Sequence, residues 1–343
     1  MNEASELRQP SGIELNTGPG DTDGLAIRTE HLTKIYSQSL IAVNDMNLEV
    51  PKGSVFALLG PNGAGKTTTL RLILGLQRPT AGKAEVFGRK CGPNAVDVRA
   101  RIGYLATNPK LPGHLKPIEY LDLLGKLCGL TSQARKPVIS SLLRAVGLLG
   151  ATGQQIRTFS TGMCTRLGIA ASLVGNPPLL IWDEPTAGLD PAARRFTLDF
   201  IRELAKTKTI VVATHILSDI DQISDHLGVM HEGRMIYTGS MLDMKRRLHR
   251  DEISLDLDGT PESIRSLGKE VAVKDGVDAR LDGNRVLHVR IADDHSRSGV
   301  LADILKLIDA ADVSLAGIRM GQNTTEDAYL QLLQEDQAHG FDR

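Results

Sequence analysis

The stretch that decides the fold is Gly60-Pro61-Asn62-Gly63-Ala64-Gly65-Lys66-Thr67. It follows the apolar run Val55-Phe56-Ala57-Leu58-Leu59 and precedes Thr68-Thr69-Leu70-Arg71-Leu72-Ile73-Leu74, whose spacing is helical. A buried strand, then G-x-x-x-x-G-K-[ST], then a helix is a phosphate-binding arrangement in its confirming context. The glycines allow a tight turn whose successive N–H groups converge on β- and γ-phosphates. The helix start adds its positive end to the same place. Lys66 supplies a point charge, and the Thr67 hydroxyl can ligate the Mg²⁺ that accompanies the nucleotide. A Gly-rich turn with an incidental lysine would not fill all four fixed positions. The candidate nucleotide-binding set is Gly60 to Thr67, with Thr68 beside it.

Working downstream, Leu179-Leu180-Ile181-Trp182-Asp183-Glu184 is an apolar run ending in two carboxylates. In open α/β sheets, ligands bind where strands end at their C-terminal edge. Asp183 is therefore a candidate Mg²⁺ ligand, since Mg²⁺ takes few carboxylates and keeps several waters. Glu184 is placed to orient or deprotonate the water that attacks the γ-phosphate. A further strand, Thr209 to Ala213, ends in Thr214-His215. An isolated histidine would read as a helix cap or core residue; at a strand end it is a candidate contact for the γ-phosphate and the attacking water. Tyr36, between the first two expected strands, could stack on an adenine ring. As a lone aromatic it reads first as a plain edge-strand tyrosine.

The rest of the chain bounds these readings. Its 343 residues suggest about two domains and are ample for a core. With 40 basic and 41 acidic residues and 3% aromatics, neither a basic field nor a base-stacking platform for nucleic acid is expected. Cys91, Cys128 and Cys164 form no metal-binding spacing. No stretch resembles a signal peptide or reaches the roughly 18–20 apolar residues of a membrane span.

Residues 1–24 lack periodicity and read as a disordered tail. A sheet domain is expected over 25–240, with a helical subdomain inserted at about 108–165. A small α+β unit follows at 251–335, with Val271-Ala272-Val273 expected as a short strand. The basic cluster Lys245-Arg246-Arg247, with His249 and Arg250, reads as a solvated face.

Together these features resemble the ATP-binding cassette (ABC) ATPases, over about Leu25 to Gly239. The most discriminating segment is Phe159-Ser160-Thr161-Gly162-Met163, which is similar to the family's signature Leu-Ser-Gly-Gly-Gln; Ser160 and Gly162 match, Thr161 and Met163 depart. The resemblance implies a P-loop NTPase cassette with a mixed-sheet core. It implies that Ser160 and Gly162 contact ATP held by a second subunit, so that a dimer, expected as a homodimer, completes each site. By the same resemblance Tyr36 is the adenine-stacking aromatic, Asp183 and Glu184 are the Mg²⁺ and catalytic acids, and His215 is the switch histidine. Gly188-Leu189-Asp190 resembles the loop that couples the subunits. Where the family usually carries a glutamine ligand, this chain has Thr107.

The C-terminal addition, ending in Thr324-Thr325-Glu326-Asp327-Ala328-Tyr329-Leu330, looks like that of type-2 ABC exporter subunits. The implied function is ATP hydrolysis, with ATP and Mg²⁺ as cofactors, Lys66, Glu184 and His215 as catalytic residues, and Thr67 and Asp183 on the metal. The implied partners are a second cassette and membrane permease subunits at the inner face of the cell membrane. A soluble, non-transport cassette and a regulatory cassette with weak turnover are the alternatives.

Overall fold

The computed structural model describes residues 24–37, 40–247, 252–283, 285–292, 295–311, 313–320 and 325–339. The expected tail, apart from Gly24, and much of the basic cluster lie outside the described residues. The chain divides into two compact units, one running up to Met241 and rejoined by the residues from Asp336, the other Leu242–Glu335.

The first unit opens with β1 (Leu25–Ser37), β2 (Leu40–Pro51) and β3 (Val55–Leu59), then α1 (Lys66–Ile73), β4 (Ala81–Val86) and β5 (Arg89–Lys90). It continues through α2 (Val96–Arg99), β6 (Ile102–Leu105), α3 (Pro117–Leu127), α4 (Ser132–Ala145) and α5 (Thr161–Leu173). Then come β7 (Leu179–Asp183), α6 (Pro191–Ala205), β8 (Thr209–Thr214), α7 (Leu217–Ile223), β9 (His226–His231) and β10 (Arg234–Ser240); α8 (Met241–Arg247) starts on this stretch's last residue, and the rest of it belongs to the second unit. An antiparallel sheet has the order β2-β1-β4-β5, and a six-stranded sheet the order β10-β9-β3-β8-β7-β6. In the latter β6, β7, β8, β3 and β9 run parallel and β10 closes the edge antiparallel.

The parallel strands explain their own composition. Phe56, Leu58, Leu179, Ile181, Val211 and Ala213 pack with β1, β2 and α1. Their neighbours Val55, Leu180, Trp182, Ile210 and Val212 pack against residues of α3 to α6. Strands covered on both faces need uninterrupted apolar runs, which is why these segments do not alternate. Their C-terminal ends then align, because β3 and β7 flank β8 in register, with Leu59 opposite Thr214 and Asp183 opposite Ala213.

The helical insert is set by local signals. Pro117 starts α3, and Glu119 reaches back to accept from the Lys116 N–H at 2.8 Å. Thr131 caps α4 by accepting from Ala134 N–H at 3.3 Å. On α5, Ser172 Oγ donates to the Ile169 carbonyl at 2.8 Å and accepts from Trp182 Nε1 at 3.2 Å, both fully inside. Ser172→Ala strands the indole N–H and should lower stability by about 1–3 kcal/mol, read as a lower Tm by calorimetry with ATP affinity unchanged.

Two sequence expectations need correction. Tyr36 lies near the end of β1 rather than between two strands. In the second unit, Val271-Ala272-Val273 is no strand, because α9 (Pro261–Ala272) takes in Val271 and Ala272 and Val273 caps it. Ile264, Leu267 and Val271 fall on one helical face and are buried.

Ahead of α9 lies β11 (Glu252–Asp258). After it come β12 (Val277–Asp282), β13 (Val286–Ile291), α10 (Arg297–Ala310), β14 (Ser314–Met320) and α11 (Thr325–His339). The antiparallel sheet has the order β12-β13-β11-β14. Ile253, Leu255 and Leu257 of β11 join Leu287, Val289 and Ile291 of β13 and the faces of α9 and α10 in one core.

Candidate functional site

The Gly60–Thr67 loop joins β3 to α1 and is fixed from outside by backbone. Gly233 N–H donates to the Ala64 carbonyl at 3.0 Å, and Asn44 N–H donates to the Gly233 carbonyl at 2.8 Å. Gly65 has φ +103, and a Cβ there would lie 2.2 Å from the Ala42 carbonyl oxygen. Only glycine meets both demands.

Lys66 is the first residue of α1 and is nearly buried. Its Nζ donates to the Gly60 and Pro61 carbonyls at 2.6 and 3.2 Å and lies 3.5 Å from Glu184 Oε1. Burial pulls its pKa below the ordinary lysine value, and the neighbouring Glu184 and Asp183 carboxylates oppose that shift. The ammonium thus sits against a counter-charge at the loop's mouth.

Thr67 Oγ1 donates to Asp183 Oδ2 at 2.8 Å. The other oxygen, Asp183 Oδ1, is buried without a hydrogen-bond partner. Such an atom in a native site calls for an explanation, and a bound cation beside the phosphate loop is one that fits. Burial, before any other influence, raises the Asp183 pKa, and a nearby divalent charge would counter that. Among the described residues no group of three His, Cys, Asp or Glu side chains could hold a metal. The hydroxyl–carboxylate pair therefore fits an ion that fills its shell with phosphate oxygens and water, the habit of Mg²⁺. Thr107 Oγ1 donates to the Asp183 backbone carbonyl at 3.2 Å. The threonine side chain is therefore spent on the strand end beside the carboxylate.

Glu184 follows β7 directly, with φ +51, and its N–H donates to the Ala213 carbonyl at 2.8 Å. That left-handed backbone is uncommon for a non-glycine residue and costs on the order of 1–3 kcal/mol. It turns the side chain toward His215, whose Nδ1 lies 2.9 Å from Glu184 Oε2 and 3.0 Å from Oε1. Lys66, Thr67, Asp183, Glu184 and His215 are thus gathered at one strand-end edge.

The remaining predicted residues stand elsewhere. The exposed Tyr36 donates from its hydroxyl to Gln77 Oε1 at 2.6 Å, with Lys34 Nζ 5.3 Å from its ring centre. Ser160 caps α5, its Oγ accepting from Met163 N–H at 3.3 Å. Gly162 faces Leu189 and Ala193, with room for a Cβ. Asp190 caps α6 through the Ala193 N–H at 2.9 Å. The sequence reading missed a buried group beside the site: Asp219, with Thr186 and Arg194 around it. Its partners lie 33 and 25 residues away, and nothing local announces them.

The family model described as ABC transporter matches residues 43–187. The bacitracin transport ATP-binding protein BcrA of Bacillus licheniformis is 34% identical, over 90% of this chain and 97% of its own length. The chain belongs to the ABC transporter family. It is an ATP-binding, ATP-hydrolysing cassette subunit of a transporter. The daunorubicin/doxorubicin resistance ATP-binding protein DrrA of Streptomyces peucetius is 33% identical, over 90% of this cassette chain and 92% of its own. Among solved structures, cbiO1 from Clostridium perfringens, described as part of the ABC transporter complex cbiONQ, has TM-score 0.59 and 26% identity. That match covers 66% of this ABC chain and 95% of cbiO1. No helix among the described residues is long and apolar enough to cross a membrane.

Proposed function

We propose that this cassette is the motor subunit of an exporter, working as a dimer docked on separate permease subunits at the inner face of the membrane. The observation that carries the catalytic part is the Lys66–Glu184–His215 cluster beside the Thr67–Asp183 pair. In this reading Gly60 to Thr68 hold the phosphates, with Lys66 countering their charge. Glu184 accepts the proton of the attacking water, and His215 holds the Glu184 carboxylate in place. Mg²⁺ on Thr67 and Asp183, when bound, neutralises phosphate charge. Ser160 and Gly162 complete the partner subunit's site from the start of α5, where backbone N–H groups favour an anion. Names of relatives that speak of bacitracin transport and drug resistance support export as the direction. The second unit is proposed as an accessory, regulatory domain.

Tyr36 is assigned to the adenine. One stacked base is worth about 1–3 kcal/mol, so Tyr36→Ala should weaken ATP binding roughly 5- to 150-fold, measured as Kd by titration. An unchanged Kd would remove the tyrosine from the site.

The transporter reading is tested by purifying the tagged full chain from detergent-solubilised membranes of its own cell. A multi-span membrane protein should co-purify in stoichiometric amount. Co-purification with ribosomes instead would establish the soluble alternative.

A further inference from the structure

The segments that carry Glu184 and His215 meet a second time, through Thr186 and Asp219. Asp219, on α7 four residues beyond His215, is 1% exposed. Its Oδ2 accepts from Thr186 Oγ1 at 2.5 Å and its Oδ1 from Arg194 Nε at 2.6 Å, while Arg194 Nη2 donates to Ser218 Oγ at 2.7 Å. Thr186 lies two residues past Glu184 and is itself buried. Arg194 sits in the first turn of α6, just past Asp190. One carboxylate therefore ties together the loop after β7, the start of α6 and the helix after β8.

The loop's own internal bonds are weak. Its internal bonds, Ala187 N–H to the Glu184 carbonyl and Leu189 N–H to the Thr186 carbonyl, are both long at 3.3 Å, and Gly188 has φ +70. Glu184 enters the loop in a left-handed conformation, which persists only where the surroundings over-determine it. Its N–H bond to Ala213 fixes one side of the residue; the Thr186–Asp219 bond is the short, buried contact on the other. With the Arg194 side chain 32% exposed and Asp219 buried, the pair contributes little net stability, because solvent screens one partner and apolar residues could replace the other. Its use here is geometric.

We propose that Asp219, with Thr186 and Arg194, is a positioning clamp that sets the spacing of Glu184 against His215 and the course of residues 186–190. This rests on the assignment of Glu184 as general base. By the same bonds the clamp ties the Gly188–Asp190 turn to the helix after His215, so that a shift at one moves the other.

The test compares full-length chains carrying Thr186→Val alone and the apolar triple Thr186→Val/Arg194→Met/Asp219→Leu, each read for Tm, ATP Kd and kcat. A misplacement of about 1 Å can cost on the order of 10²-fold in rate. The triple should keep its Tm and ATP Kd while kcat falls on that order, and Thr186→Val should show a smaller fall in kcat alone. Arg194→Lys, which keeps the charge and loses the fork, should retain more kcat than the triple. A native kcat in a folded triple overturns the clamp, as does a loss of kcat matched by an equal loss of ATP affinity. Should the triple not fold, a native kcat in Thr186→Val is sufficient to overturn it. Glu184→Gln measured alongside separates the two ideas: native turnover there removes the base assignment, whereas an inactive Glu184→Gln with a fully active triple removes only the clamp.

Discussion

Glu184→Gln should slow ATP hydrolysis on the order of 10²–10⁴-fold, the usual loss on removing a general base, with ATP affinity intact. The substitution keeps the side chain's size and its place between Lys66 and His215 but abolishes its basicity. Since Glu184 is only 10% exposed and lies 3.5 Å from the Lys66 ammonium, removing its charge also relieves Lys66 of a competing anion. Binding should therefore hold or tighten while turnover stops. ATP-bound dimers should accumulate, visible as a shift from monomer to dimer in size-exclusion chromatography with ATP and Mg²⁺. Turnover at the native rate would refute the assignment.

Gly65→Ala should abolish the site by a different route. A Cβ at Gly65 would lie 2.2 Å from the Ala42 carbonyl oxygen, which belongs to β2 and cannot move aside, and φ +103 is closed to alanine. The loop must open, and its N–H groups no longer converge. Losing one or two charge-assisted hydrogen bonds at about 1.5–3 kcal/mol each corresponds to an ATP affinity weaker on the order of 10²-fold. The Tm should fall as well. Gly150→Ala, where a Cβ meets nothing within 4 Å, is the matched control and should leave both unchanged. Native ATP affinity in Gly65→Ala would show that the loop does not hold the phosphates.

These residues were readable in the sequence because their constraints are local. Gly60 to Thr67 announces itself through backbone conformation and one charge at fixed spacing. Asp183 and Glu184 stand out as acids closing a run that otherwise must be apolar on both faces of a covered strand. Thr107 was visible as a departure, though not that its hydroxyl would bond to the Asp183 backbone. Asp219 was illegible, since its meaning depends on partners brought in by α6 and the loop after β7. Val271 was ambiguous for another reason. Three apolar or small residues in a row suit a strand end as well as a helix end, and only the pairing with Ile264 and Leu267 resolves it. Conversely β12 carries clean alternation, Val277, Ala279 and Leu281 against Asp278, Arg280 and Asp282. Three charges in six residues disguised a signal that was present.

Trp182 is the chain's one tryptophan, wholly enclosed in the cassette core one residue before Asp183. The Leu242–Glu335 unit has none, so indole fluorescence is a private channel to the cassette. Its emission, short in wavelength while the ring is dry, moves to the red only when that core admits water, whatever the other unit is doing. Melting the full chain while recording emission and circular dichroism together would then time the two units against each other in one sample, with no label attached. Coincident traces would mean a single cooperative transition; separated ones would say which unit yields first.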